Sequence, residues 1–216
     1  MISMIQPQTR TFDARLLTLR DAEAVRALTG GSLPHAAELM SLLQNGHVLG
    51  DYAGLPHLQA VTTLLPLGGA SPLALCLRAA GLGTDGRGAV LTPLCAVEGY
   101  TQVRHFLSVA LHWARGQYPD GEVWAVLPLD RCNAAGEELC AQYMATGLAL
   151  RAACPMNGTR QMLVFSAQAL PRWEQPIRRL PLCDPALPRF LERGYAAADF
   201  GWDRRGLVLL LRPTGY

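Results

Sequence analysis

Nine consecutive residues, Ala89 to Val97 (Ala-Val-Leu-Thr-Pro-Leu-Cys-Ala-Val), are apolar almost throughout. A strand with no polar face has no solvent side, so it belongs inside a sheet covered on both faces. From Thr101 to Arg115 the apolar positions change period: Val103, Phe106, Leu107, Ala110, Leu111 and Ala114 fall on one helical stripe. Glu122 to Leu127 is a second β-rich core segment. Strand, helix and strand in this order predict parallel strands joined by a right-handed crossover.

The rest of the chain surrounds that unit. Ala14 to Arg20 reads as a first strand, and Asp21 stands at the cap position of a helix carrying Ala22, Val25, Ala27 and Leu28. Gly30 and Gly31 end it, and Ser32 with Pro34 opens a second helix that stops at Asn45-Gly46. His47–Tyr52 and Leu58–Leu65 read as a strand pair. Leu73–Ala79 fits a strand or a short helix equally well, because a brief apolar run has no decisive period. Beyond the core unit come a helix from about Ala134 to Thr146 and strands near Leu148–Cys154 and Arg160–Phe165, turned at Asn157-Gly158. The fold class is a mixed α/β sheet flanked by helices.

The tail repeats the pattern before it. Gln142–Phe165 runs helix end, glycine (Gly147), strand, turn, strand, and Arg189–Leu211 does the same around Gly194. We therefore expect a main domain over residues 1–168 and, over 169–216, a helix–hairpin extension packed on the same sheet or on a partner subunit. Sheet extension by this tail would allow a homodimer.

Composition excludes several functions. All 19 positive side chains are Arg, so no Lys can form a Schiff base or serve a P-loop. A net charge of +2 is too mild to argue for nucleic acid. No stretch reaches the ~18 apolar residues of a membrane span, and the N-terminus does not read as a secretory signal. The six cysteines form no CxxC pair and the histidines no HExxH, which argues against a metal site and for reduced thiols in a cytoplasmic protein.

Over roughly Ala14–Phe165 the chain resembles the GNAT superfamily of N-acetyltransferases. The segment Leu94-Cys95-Ala96-Val97 is similar to the end of that family's fourth strand. Gln102 falls five residues after the Val, where the family begins its Gln/Arg-x-x-Gly-x-Gly/Ala loop. The resemblance implies acetyl-CoA as co-substrate, held by backbone groups of Cys95, Ala96 and Val97 and by Gln102, Val103, Arg104 and His105 at a helix start. It further implies that Asn133 follows the next strand as a cofactor contact, and that Tyr143, four residues before Gly147, protonates the leaving thiolate. Glu98, just past the strand end, is the candidate general base, with Asp130 a second carboxylate to consider. Each has a plainer reading: Tyr143 as a packed helix tyrosine, Glu98 as a solvated residue, Cys95 as a core thiol.

One departure divides the functional readings. His105 and Leu107 stand where the family has its two small residues. Small residues let a diphosphate approach helix N–H groups, whereas an imidazole and a leucine add bulk there. The implied function is transfer of an acetyl group from acetyl-CoA to the amine of a small molecule or peptide. The alternative is a catalytically silent module of the same fold that binds a ligand or protein.

Overall fold

The structure, a computed structural model, describes residues 12–30, 36–68, 72–82, 86–130, 133–156, 160–168 and 177–214. The Ser32–Pro34 helix start and the Asn157-Gly158 turn lie outside the described residues. The chain divides into two compact units, the first Met1–Thr62 with Cys95–Gln102, the second Thr63–Leu94 with Val103–Tyr216.

In the first unit, β1 (Ala14–Leu16) pairs antiparallel with β2 (Val48–Asp51), Arg15 opposite Gly50. Helices α1 (Ala22–Thr29) and α2 (Ala36–Gln44) lie between them in sequence. The first strand is shorter than the apolar run suggested, because a 3-10 turn takes over at Leu19–Asp21. Asp21 does occupy the cap position of α1, but its carboxylate reaches back to Thr18 N–H (2.8 Å) and accepts from Tyr52 Oη (2.6 Å). The opening residues of β3 (Ala60–Pro66) pair antiparallel with β5 (Cys95–Ala96).

In the second unit the later residues of β3 pair antiparallel with β4 (Gly88–Leu91), and β4 runs parallel to β6 (Glu122–Asp130). The segment Pro72–Ala79 is a helix, α3. Helix α4 (Val103–Gln117) buries Val103, Phe106, Leu107, Ala110, Leu111 and Ala114 on one face, the stripe read from the sequence. Two glycines let β4 and β6 start side by side. A Cβ on Gly121 would come within 2.6 Å of Gly88 Cα, and Gly88 itself has φ +113.

The sheet continues β6–β8–β7–β10–β11–β9, with β7 (Ala149–Pro155), β8 (Arg160–Ser166), β9 (Arg178–Pro181), β10 (Tyr195–Asp203) and β11 (Gly206–Pro213) all antiparallel to their neighbours. This order is a palindrome about β7 and β10. Helix α5 (Ala134–Ala145) precedes β7 and the six-residue α6 (Leu187–Glu192) precedes β10. Gly147 and Gly194 close the two helices with φ +88 and +79. Four residues after each glycine the ladder slips, at Arg151 and at Ala198. The contact between halves, Leu150 opposite Ala197, joins positions three residues past each glycine.

The match reaches further back than the sequence pattern had suggested. Pro128 faces Met162 on β8, and Pro181 faces Val208 on β11. Met162 in turn faces Cys154 and Val208 faces Gly201, each seven residues past its glycine. Leu127-Pro128-Leu129 and Leu180-Pro181-Leu182 are therefore equivalent as well as identical. The tail is a shortened second copy of β6–α5–β7–β8, related to the first by a local two-fold.

One expectation about thiols is corrected. Cys183 is disulfide-bonded, its partner not among the described side chains, while Cys95, Cys140 and Cys154 form no disulfide. Burial, and then the Glu137 carboxylate, push the Cys140 thiol up to about 12.

Candidate functional site

The apolar run Ala89–Val97 is not one strand. After Leu91, Thr92 N–H still donates to Thr63 O (2.9 Å), and Thr92 Oγ1 accepts from Thr63 N–H (3.0 Å). Pro93 then has no N–H to offer, and the regular ladder ends. β4 parts from β6 at the same level: their parallel register stops at Leu91 opposite Ala125, whereas β6 goes on pairing with β8 as far as Asp130. The result is a strand with an occupied edge on one side and, from Val126 onward, no β4 partner on the other.

Tyr143 stands at this parting. It lies in the last turns of α5, 1% exposed, with its ring 5.3 Å from that of Phe165. Leu94 N–H, two residues beyond the last ladder bond, donates to its hydroxyl at 3.3 Å. A tyrosine oxygen that accepts through a lone pair still has an O–H to donate. The residue is thus both the packed helix tyrosine of the plainer reading and a hydroxyl fixed where two parallel strands separate.

The first turn of α4 belongs to the same unit. It contains no acidic residue, and Arg104 and His105 are exposed there while Val103 is buried. A helix start orients its first N–H groups outward and favours negative charge. Leu107, expected to crowd that end, is instead 1% exposed and lies on the core face with Phe106 and Ala110. The bulk of Leu107 is therefore spent inside the domain. Of the two substitutions only His105 stands in solvent.

Asn133 sits at the N-cap of α5, where its side-chain oxygen accepts from Gly136 N–H at 2.7 Å. This is a helix-capping role. Asp130 pairs with Arg160 across the β6–β8 ladder at 3.0 Å, both side chains more than half exposed, which makes it a surface ion pair rather than a base in a cleft.

The remaining candidates lie in the first unit. Ala60 and Val61 pair with Ala96 and Cys95, and Val97 N–H donates to Gln59 O (2.9 Å). Cys95 and Val97 are half-buried and Ala96 is exposed, so Cys95 is not the fully enclosed core thiol of its plainer reading. The chain then turns through Glu98 and Gly99, with φ +76 at the glycine and Tyr100 N–H bonded to Val97 O at 3.2 Å. Glu98 is exposed on this turn and Gln102 is half-buried beyond it.

What holds the turn was not seen in the sequence. Tyr100 is buried, and its hydroxyl donates to Asp51 Oδ2 at 2.6 Å. Asp51, with no solvent exposure, also accepts from Asp13 N–H (3.0 Å) and Ala53 N–H (2.8 Å) through Oδ1. Burial first, and then the bond to Asp51, hold the Tyr100 pKa far above the usual phenol range. The available signal was an acid at the end of an otherwise apolar strand, Val48-Leu49-Gly50-Asp51. A buried carboxylate of that kind needs several donors.

The mixed sheet flanked by helices is a fold the chain shares with solved GNAT-family acetyltransferases. A crystal structure of a GNAT-family acetyltransferase from Bacillus cereus aligns with 74% of this chain and 99% of its own, at 8% identity and a TM-score of 0.50. A probable acetyltransferase from Staphylococcus epidermidis aligns over 73% of this chain and 100% of its own, with 13% identity and a TM-score of 0.49. A mosquito arylalkylamine N-acetyltransferase-like protein gives 72% and 100%, 10% identity and 0.49. No family model matches the sequence, and neither does any curated protein. Among the described residues, no helix is long and apolar enough to cross a membrane.

Proposed function

We propose that the protein is an acyl-CoA-dependent N-acetyltransferase that moves the acetyl group of acetyl-CoA to the amine of a small molecule or peptide. The observation that carries this reading is the buried Tyr143 hydroxyl, held by Leu94 N–H where β4 leaves β6. In amide formation the amine nitrogen bonds to the thioester carbonyl carbon, the C–S bond breaks, the amine gives up a proton and the thiolate takes one. Tyr143 supplies the proton to sulfur, its oxygen held in place by the bond it accepts from Leu94 N–H. Glu98, solvated on an anchored turn, takes the amine proton through water. Backbone groups of Cys95, Ala96 and Val97, with Gln102, are assigned to the acyl carrier on the resemblance.

The residues present at the start of α4 suit the diphosphate of such a carrier. The turn is free of carboxylates, Leu107 is turned into the core, and Arg104 and His105 stand exposed to supplement the helix N–H groups. Asn133 fits the cofactor role less well, since its side-chain oxygen is committed to Gly136. A cytoplasmic location belongs to the same proposal. The disulfide at Cys183 pulls against it, because disulfides persist in oxidising compartments.

His105 favours a second reading, a catalytically silent module, because its imidazole occupies a place that the resemblance reserves for glycine. Thermal unfolding with acetyl-CoA separates the two. A ligand at 100 times its dissociation constant stabilises by ~2.7 kcal/mol. The enzyme reading requires a clear upward shift, and no shift at millimolar acetyl-CoA removes it.

A further inference from the structure

The second copy of the half-domain carries a cleft of its own. It is an open surface groove of about 270 Å³ bordered by Arg178, Arg179, Leu180, Phe190 and Leu211. The local two-fold says what these residues correspond to. Through the register of β9 on β11, Arg178, Arg179 and Leu180 are the counterparts of Ala125, Val126 and Leu127 on β6. Leu211 corresponds to Phe165, since each faces the residue three past its glycine. Phe190, four before Gly194, corresponds to Tyr143. The cleft is thus the second copy's version of the region around Tyr143.

Three changes separate the two versions, and each bears on what the cleft can hold. The tyrosine hydroxyl is gone, so the second site has no proton donor at that place. Among the described residues no strand lies on the outer edge of β9, where β6 has β4 beside it. Two small apolar residues have become arginines. Neither pairs with a carboxylate among the described residues, and the Arg178 guanidinium lies 5.5 Å from the centre of the Phe190 ring. An arginine stacked on an aromatic face keeps its in-plane N–H fork directed outward.

We propose that this cleft is a second ligand site, one that binds without catalysing and takes a small organic oxyanion. Arg178 shares its face of β9 with Leu180 and Leu211 while Arg179 points to the other face, so the Arg178 guanidinium grips the carboxylate or phosphate monoester, and Phe190, Leu180 and Leu211 cover its apolar body. The site is independent of the acetyltransferase reading, since no residue proposed for that reaction lines it.

The test is calorimetric titration of the full-length protein with benzoate, phenyl phosphate and inorganic phosphate, run with and without saturating CoA. Saturable binding of benzoate or phenyl phosphate is expected, unchanged by CoA. It should weaken at least tenfold in R178A, whose circular dichroism and melting curve serve as the folding control, and stay within twofold in R179A. The stronger aryl ligand identifies carboxylate or phosphate as the anion recognised. Phe190→Leu should weaken the aryl ligands and leave inorganic phosphate unaffected. Absence of saturable binding by either aryl ligand overturns the proposal. So does equal binding by R178A, or loss of binding in the presence of CoA.

Discussion

The Asp51–Tyr100 pair gives the sharpest quantitative test, because its energetics follow from three bonds to one fully buried carboxylate. Asp51→Ala removes the acceptor of Asp13 N–H, Ala53 N–H and Tyr100 O–H together. A donor left unsatisfied in a protein interior costs about 1–3 kcal/mol, and neighbouring losses are not fully additive. The expected destabilisation is therefore about 3–5 kcal/mol. With a urea slope of about 2 kcal/mol/M, the unfolding midpoint should fall by about 1.5–2.5 M. Tyr100→Phe loses one bond to a charged acceptor and should cost about 1.5–3 kcal/mol. In a double-mutant cycle the Asp51→Asn and Tyr100→Phe variants should couple by more than 1 kcal/mol, with unfolding followed by circular dichroism at neutral pH. If the two variants add within ~0.5 kcal/mol, the bond is not what holds the Glu98 turn and the argument fails.

Stability should also fall on the alkaline side. The folded-state pKa of Tyr100 is raised above its ordinary value of 10.0, so the folded chain keeps a proton that the unfolded chain gives up. This contribution is complete below pH ~10 and is lost above it, with a slope of up to ~1.4 kcal/mol per pH unit. Tyr100→Phe should flatten that limb without abolishing it, because burial also raises Tyr52 and Tyr118. Tyr143→Phe keeps the ring against Phe165 and loses the bond from Leu94 N–H, so stability should change by about 1 kcal/mol. Turnover with any acceptor amine should fall at least tenfold, and an unchanged rate removes Tyr143 from the chemistry. Gly206→Ala should destabilise by about 1–3 kcal/mol in thermal unfolding. Its φ is +110, and a Cβ there would collide with the Glu137 carboxylate that accepts from Leu207 N–H at 3.1 Å. A neutral outcome would mean the hairpin end can shift away from α5.

Local chemistry was enough for some of this protein. The 3.6-residue stripe from Val103 to Ala114, the helix end at Gly147, and the parallel pairing of the segments around Ala89 and Val123 follow from side-chain period and backbone preference. Those signals act within one element or between adjacent ones. The resemblance of Gln142–Phe165 to Arg189–Leu211 was legible for the same reason, a glycine at a helix end being a local necessity. Tertiary structure decided what depends on partners far along the chain. Whether Ala89–Val97 stays one strand is set by where the β3 and β6 ladders stop, and Pro93 alone did not announce it. Leu107 could crowd an anion seat or fill the core, and burial on the sheet side settled the choice. Asp51 took its meaning from Asp13, Ala53 and Tyr100, the last of them 49 residues away. The palindrome of strands, which makes Phe190 the counterpart of Tyr143, exists only in the register of paired backbones. Hydrogen-bond registry and burial are properties of the assembled chain, and no window of residues carries them.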